Sequence, residues 1–593
     1  MRQRWSAAAL LLVAAAGHCQ AFTPAARSTC TCTPASTRAG RSNGLACRAL
    51  KEPQSEEELR SAIATKNEDL SRMDKDRLQS FAAADEEFLA ELLKERSYLS
   101  IVTEKAVETV DSLLTAGKGG DANAPATGVK PKVIVLGAGW ASHAFLKGID
   151  TDMYDVTVVS PRNFFLMTPM LAASAVGTVE FRSITEPIRN VNLGANYIEA
   201  TCTAIDSDSQ EIVCENVVCE GTSCTIEDFR LPYDHLILAV GATSNTFGIP
   251  GVREHCIFMK QVTDADKLRR AIGNCFERAN LPTLSDEQKQ AVLTFVVVGG
   301  GPTGVELTAE LRDFIEQDVP RFYPNLVKFV RIKLVEASDR VLMAFDEELQ
   351  AKALRDLTER STTLISQGFI KEEMTEVMLN VGVKEITDTT ISLSTGETMP
   401  YGLCVWAAGN GPLPLVVEAI DQISEQKEKA GWGRGRLVTD DWLRVKGAKG
   451  VYAIGDCGVV DQRPLPQTAQ VAAQQGSFLA RLFSRGYNLN APVPEKTGGA
   501  KALSEQLGLS SDKSGKFAKG FSFMNLGILA YTGGGNALAQ VQVDNQRVKG
   551  TGAAGFFLWR SVYMSKQVSW RNRILVAIDW TKARLFGRDI VRF

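Results

Sequence analysis

Two short apolar runs, each ending in a glycine loop, limit what this chain can fold into more than any other feature. The clearer one is Leu293-Thr294-Phe295-Val296-Val297-Val298, which runs directly into Gly299-Gly300-Gly301-Pro302-Thr303-Gly304-Val305-Glu306. Such a run reads as a buried strand. The glycine turn behind it opens a helix whose free N–H groups and positive end suit a pyrophosphate. The next expected strand, Val330 to Val335, ends in Glu336. A carboxylate there accepts both hydroxyls of a ribose and repels a 2′-phosphate. The pattern predicts a site for NADH in preference to NADPH, lined by Gly299, Gly301, Pro302, Thr303, Gly304 and Glu336. Glu336 stands further from Gly299 than is usual, and the long helix and PRFYPN turn between them absorb the excess.

The second loop is less complete. Val133-Ile134-Val135-Leu136 leads into Gly137-Ala138-Gly139-Trp140-Ala141-Ser142, with serine where the third glycine would stand. The following strand, Val156 to Val159, ends at Ser160 and not at an acid. Two dinucleotide loops in one chain imply two dinucleotides, one of them a flavin. Val451-Tyr452-Ala453-Ile454 then delivers Gly455-Asp456 at a strand end, where a carboxylate can hold the ribitol of FAD. Two further apolar strands finish at Gly241 and at Gly409-Asn410, and such ends mark where one domain hands the chain to the other. From Lys132 onward strands and helices alternate, so the expected fold class is α/β with parallel sheets and two Rossmann-like units.

Composition excludes several classes. A chain of 593 residues exceeds one core. The balance of 45% hydrophobic and 23% charged residues is that of a globular protein, and a net charge of −3 gives no bias towards nucleic acid. Four histidines and the absence of any CxxC pair argue against a metal centre, including at Cys214, Cys219 and Cys224, whose spacing suits a β-hairpin better than zinc. No apolar run is long enough to span a bilayer.

Residues 1–51 hold Arg2, Arg4, Arg27, Arg38, Arg41, Arg48 and Lys51 and no acid. A short apolar core from Ala7 to Gly17, followed by a Ser-, Thr- and Arg-rich stretch, resembles a signal peptide joined to a transit peptide, as in the leaders of complex algal plastids. The expected location is an organelle, the plastid thylakoid ahead of the mitochondrial inner membrane. Residues 52–115 read as an added helical segment, 116–130 as a linker and 490–520 as a surface insertion. Between these lie 131–255 and 401–489 (the two parts of the first nucleotide domain) and 256–400 (the second). Residues 521–593 form a membrane-association region. From Ala553 onward Arg560, Lys566, Arg571, Arg573, Lys582, Arg584, Arg588 and Arg592 face only Asp579 and Asp589. Ile574, Leu575, Ile578, Trp580, Leu585 and Phe586 recur at helical spacing, which predicts amphipathic helices lying in a headgroup layer.

The order of these motifs resembles the two-dinucleotide-binding-domain flavoproteins, and among them the type II, non-proton-pumping NADH:quinone oxidoreductases. The carrying residues are VIVLGAGW (133–140), VVSPRNFFLMTPML (158–171), VGTVEFRSITEPIR (176–189), VVVGGGPTGVELTAEL (296–311), YAIGD (452–456) and TAQVAAQQG (468–476). The resemblance implies FAD along Gly137, Ala138, Gly139, Trp140, Ser160, Arg162, Thr168, Pro169, Gly241, Gly409, Asp456 and Ala469, with NADH on the second loop. It also implies a quinone beside Gln470 and Gln474, whose amides at i and i+4 share one helical face and can donate to a carbonyl. Glu306, by the same resemblance, lies near the flavin–nicotinamide contact and assists proton uptake; the plainer role for it is to satisfy helix-start amides. Ala473 stands where some mitochondrial members carry His. Phe164 to Gly177 contains no cysteine pair, so electrons leave the flavin without a thiol relay, and no calcium loop occurs. Partners implied are a quinone, a membrane surface and no metal, with a homodimer kept open. Two other readings remain: a soluble NADH-dependent reductase with a protein or small-radical acceptor, and a non-catalytic NADH-sensing scaffold.

Overall fold

The computed structural model describes residues 128–591 except 217–227, 360, 371–372, 485–488, 491–519 and 544–545. The leader, the segment 52–115, most of the linker and nearly all of 490–520 lie outside the described residues.

The apolar runs fold as parallel strands. β1 (Lys132–Leu136), β2 (Asp155–Val159), β3 (Asn196–Ile198) and β4 (His235–Leu238) form most of one sheet. The chain then builds a second sheet from β5 (Ile257–Phe258), β6 (Thr294–Val298), β7 (Arg331–Val335), β8 (Thr375–Met378) and β9 (Leu403–Trp406), in the order β5-β9-β6-β7-β8. β10 (Val451–Ala453) returns to complete the first, in the order β10-β4-β1-β2-β3. Strands covered on both faces need apolar residues at every position, which is why β6 is buried throughout. The second sheet is thus an insertion in the first unit. Its two crossings meet as a ribbon, Thr243–Ser244 antiparallel to Asn410–Gly411. The boundary expected at 400 moves beyond Trp406, because β9 pairs with β6 from Phe295↔Leu403 to Val298↔Trp406. A separate antiparallel sheet places Cys202 opposite Cys214 on paired strands, while Cys219 and Cys224 fall outside the described residues. Among the described residues no His, Cys, Asp or Glu cluster could hold a metal ion.

Four helices position the site: α1 (Trp140–Gly148), α2 (Val262–Ala279), α3 (Pro302–Gln317) and α4 (Ala469–Ser484). α4 lies directly on α1, and this depends on Gly476: a β-carbon there would run into the Ala141 carbonyl oxygen and the Phe145 nitrogen.

The C-terminal region contains the helices expected from Ala553 onward and, ahead of them, a sheet. It begins with an antiparallel meander, β11 (Ile528–Gly533), β12 (Asn536–Val543) and β13 (Gln546–Gly550), and only then forms α5 (Gly552–Lys566) and α6 (Trp570–Phe586). Gly533-Gly534-Gly535 supplies three residues of positive φ for the first turn, so the chain reverses there and does not continue as a helix. The meander rests on α3. Tyr531, Leu538, Trp559, Val576 and Trp580 share one core with Leu307 and Leu311 of α3 and Met170 of the first unit. Trp580 therefore leaves the lipid-facing set. It is buried, with its ring 6.3 Å from that of Trp559. Of the rest of the expected face, Ile574, Ile578, Leu585 and Phe586 stand out to solvent and Leu575 is half-buried; Phe557 and Trp570 are exposed as well. Among the described residues no helix is long and apolar enough to cross a membrane.

Candidate active site

Gly137 and Gly299 leave their strands at φ +104° and +113°. Their N–H groups donate to Val159 and Val335 on the adjacent strands at 2.9 and 2.8 Å. A β-carbon on Gly137 would meet the carbonyl of Ala239, so glycine alone makes this turn. Two residues on, Gly139 and Gly301 start α1 and α3 with no side-chain cap. No protein atom lies within 4 Å of where their β-carbons would be. Helix-start N–H groups without caps, behind a backbone open to approach, are what a dinucleotide pyrophosphate requires, and both loops fit one. The buried Ser142 hydroxyl, at the imperfect third position of the first loop, has no protein partner.

Ser160 replaces the expected acid and does different work. Its hydroxyl accepts from the Arg162 N–H at 3.2 Å and donates to the Arg162 carbonyl at 3.0 Å, closing a turn. That turn aims the Arg162 guanidinium at the carbonyls of Phe164 (3.0 Å) and Ala138 (3.4 Å) and at Gln261 Oε1 (2.6 Å), so a buried cation lies against the first loop. The Trp140 indole donates to Thr168 Oγ1 at 3.0 Å, joining the start of α1 to the short turn that contains Pro169. The structure thus gathers Gly137, Ala138, Gly139, Trp140, Ser160, Arg162, Thr168 and Pro169 at one end of the first sheet.

Asp456 follows β10 in the turn Gly455–Cys457. Burial raises its carboxyl above the usual range, against the pull of Lys260 and Arg436. Burial also lowers the Lys260 ammonium, which hydrogen-bonds Asn410 Oδ1 beside Gly409. The Arg436 guanidinium is pushed down to about 10, first by burial and then by Arg434. Lys260 and Arg436 belong to no motif and were not anticipated. Lys260 does stand just before α2, where the chain enters the second unit, and a cation at a domain crossing was the one available signal. Gln475 was missed as well. It is buried, and its Oε1 accepts the Gly455 N–H at 2.7 Å, holding the turn that presents Asp456; Gln467 donates to the Asp456 carbonyl at 2.9 Å.

On α4, which starts at Ala469, Gln470 and Gln474 do share a face, but their amides are already engaged with the C-terminal region. Gln470 donates to the Gly527 carbonyl at 2.7 Å and accepts from the Leu526 N–H at 3.2 Å. Gln474 donates to the Met524 carbonyl at 2.8 Å and accepts from its N–H at 2.9 Å. Each amide keeps one N–H for another acceptor.

In the second unit Glu336 accepts from the Gly300 N–H and, through its other oxygen, from the Ser338 N–H at 2.8 Å and hydroxyl at 2.7 Å. Its carboxylate is therefore fixed beside the loop. Glu306 does not cap the helix start. It is buried under β11, accepting from the Tyr531 N–H at 3.3 Å with the Trp559 indole close by. Burial pushes its carboxyl up to about 8 and that of Glu310, one turn on, up to about 7. Near pH 7 Glu306 is therefore mostly neutral and Glu310 about half protonated, and both can donate a proton. His143, by contrast, is pushed down to about 3 by burial and by Lys147, so it stays uncharged.

Comparison with known proteins agrees with this architecture. The family model for pyridine nucleotide-disulphide oxidoreductases matches residues 131–476, and the NDH2 C-terminal domain model matches 525–589. A probable NADH dehydrogenase of Dictyostelium discoideum is 38% identical over 466 residues, covering 78% of this chain and 91% of its own. An internal alternative NAD(P)H-ubiquinone oxidoreductase A1, mitochondrial, of Arabidopsis thaliana is 39% identical over 480 residues, with 78% and 86% covered. Among solved structures, NDH2 from Plasmodium falciparum in complex with NADH superposes with a TM-score of 0.66 at 26% identity, over 78% of this chain and all of that one. With both family models matched in their proper order and these relatives covered almost end to end, the chain belongs to the pyridine nucleotide-disulphide oxidoreductases, in the type II NADH dehydrogenase branch.

Proposed function

We infer that this protein is a flavoprotein that oxidises NADH and reduces a quinone without pumping protons. The observation that carries the reading is the pair of uncapped glycine loops, one beside Arg162 and one beside Glu336, in two units joined by a two-stranded crossing. When bound, FAD supplies the two-electron chemistry, taking a hydride from NADH and passing electrons to the quinone.

The chain's own residues do the rest. Gly137 to Trp140 and the start of α1 receive the FAD pyrophosphate, Arg162 adds positive charge there, and Asp456, steadied by Gln475, accepts from the ribitol. Thr168, Pro169, Gly241, Gly409 and Ala469 border the same dinucleotide. Gly299, Gly301, Pro302, Thr303 and Gly304 receive the NADH pyrophosphate, and Glu336 accepts from its ribose while repelling a 2′-phosphate. Glu306 supplies a proton near the nicotinamide. Gln470 and Gln474 wall the quinone site, each offering its remaining N–H while its other bonds hold residues 524–527 in place. The exposed row from Phe557 to Phe586, with Lys582 and Arg584 beside it, suits an anionic headgroup layer, and a lipid-soluble acceptor reaches α4 from that side.

The location we propose is an organelle membrane. The signal-plus-transit leader supports the plastid, whereas the plant relatives are named as mitochondrial; a fluorescent fusion of the full chain decides between them. Sedimentation of the purified protein tests a homodimer. One assay tests the central reading: purified protein should be yellow, consume NADH faster than NADPH, and reduce a short-chain quinone. A colourless protein that cannot be reconstituted with FAD would sink it.

A further inference from the structure

α3 carries a line of buried acids of which only Glu306 has a role in the reaction above. Glu306, Glu310 and Asp313 follow at i, i+4 and i+7 on one face, and all three are buried. A different element meets each. Glu306 faces β11 and α5 through the Tyr531 N–H and the Trp559 indole, with the half-buried Tyr563 close enough to feel its charge. Asp313 accepts from the Tyr531 hydroxyl and, at 2.8 Å, from the Gly534 N–H. Glu310 accepts from Thr178 Oγ1 of the first unit at 2.8 Å, and the charged groups that act on it are Arg588 at 3.8 Å, which lowers it, Asp313 on its own helix, which raises it, and Arg560 of α5, which lowers it. Thr178 in turn accepts from Arg588 Nε at 2.9 Å. Arg588 is itself buried and held by Asp318 and Gln317, each at 2.8–2.9 Å.

We propose that Glu310 is a proton-storing positioning residue that recharges Glu306 during quinone reduction, and that Arg588, at the far end of the chain, sets how readily it gives its proton up. The proposal rests on the NADH:quinone reading above. Reducing a quinone with NADH consumes one proton beyond the hydride, and α3 places two carboxyl groups in series below the nucleotide loop, neither open to bulk water. The signs follow from the neighbours. The Glu310 anion raises Glu306, and the Arg588 cation lowers Glu310. Two substitutions should therefore move the pH profile in opposite directions. Glu310→Gln removes the like charge, lowers the Glu306 value, and shifts the alkaline fall of quinone turnover to lower pH. Arg588→Met frees Glu310 to hold its proton to higher pH and shifts that fall upward, and Arg588→Lys restores it.

The experiment measures turnover against pH with a soluble quinone and, separately, with hexacyanoferrate(III), which takes electrons and no proton. Infrared titration of the resting holoprotein provides a readout independent of turnover. Wild type should show carbonyl bands from protonated Glu306 and Glu310 at about pH 6, and Glu310→Gln should lose one while the other titrates lower. Glu310→Gln should slow quinone reduction about tenfold at neutral pH and leave hexacyanoferrate(III) reduction within about twofold, a smaller loss than the ~10²–10⁴-fold of a direct proton donor because Glu310 acts through Glu306. Identical pH limbs in all variants, or equal losses with both acceptors, would overturn the proposal. An absence of NADH oxidation with any acceptor in wild type would instead overturn the NADH:quinone reading, and the infrared bands would still report whether Glu310 stores a proton.

Discussion

Glu336 shows how far a single side chain was legible. Its place at the end of β7 could be read from the apolar pattern, and the structure adds that Gly300 and Ser338 pin it. A pinned carboxylate cannot swing away from a 2′-phosphate. Glu336→Gln should therefore raise the NADPH/NADH ratio of kcat/KM about tenfold, a repulsion of roughly 1.4 kcal/mol; an unchanged ratio in steady-state kinetics would remove it from nucleotide selection. Glu306 and Glu310 could be seen on one face, but their burial could not, because it depends on β11, a strand far along the chain. Burial has a thermodynamic consequence. In an unfolded chain both acids sit near ~4.3, so between that value and about 7 to 8 the folded state binds more protons. Their contribution to stability is full below the unfolded value and declines as pH rises through the folded ones. Thermal scans should show Tm falling from about pH 6 to about pH 8.5, with a flatter slope in the Glu306→Gln, Glu310→Gln double variant. Lys260, Arg436 and Gln475 could not be assigned from the sequence, since each works through partners distant along the chain.

At the scale of elements, strands and loops were easier to read than helix environments. The buried parallel strands announce themselves as unbroken apolar runs, and the glycine loops fix where they end. Which residues of α4, α5 and α6 face protein and which face outward depends on tertiary partners, and there the reading erred for Trp580 and was incomplete for Gln470 and Gln474. α4 on α1 is a contact of nearly bare backbones. Gly476→Val should force the helices apart at a cost of about 1–3 kcal/mol and loosen flavin retention, measurable as a lower Tm and faster loss of yellow colour on gel filtration. The outer face of α5 and α6 can be tested without touching the core. Replacing Phe557, Ile574 and Ile578 by Ser should weaken flotation with anionic liposomes at least tenfold and leave Tm within about 1 °C, since all three are exposed. Undiminished flotation would show that another surface makes the contact.

For the whole molecule, the C-terminal region proves inseparable from the catalytic body. The sequence alone suggests that removing 553–593 would simply release the protein from lipid. The structure adds that Trp559, Val576, Trp580 and Arg588 would leave with it, and that their core is shared with α3 and with Met170. Losing several large buried side chains, at ~3–5 kcal/mol for each aromatic, exceeds what a domain can spare. The truncated chain should be insoluble or molten, seen as loss of the near-ultraviolet circular dichroism signal, and not a soluble active enzyme. A soluble, yellow, active truncation would show that the tail is a mere appendage.

Arg588 lies within the last few described residues, yet it neutralises acids fixed on a helix that was synthesised more than 250 residues earlier. A nascent polypeptide leaving the ribosome must keep that helix waiting with its carboxyl groups uncompensated until Arg588 emerges. Closure of this buried cluster is thereby postponed by more than 250 residues of synthesis, and a product terminated before Arg588 has no means of achieving it.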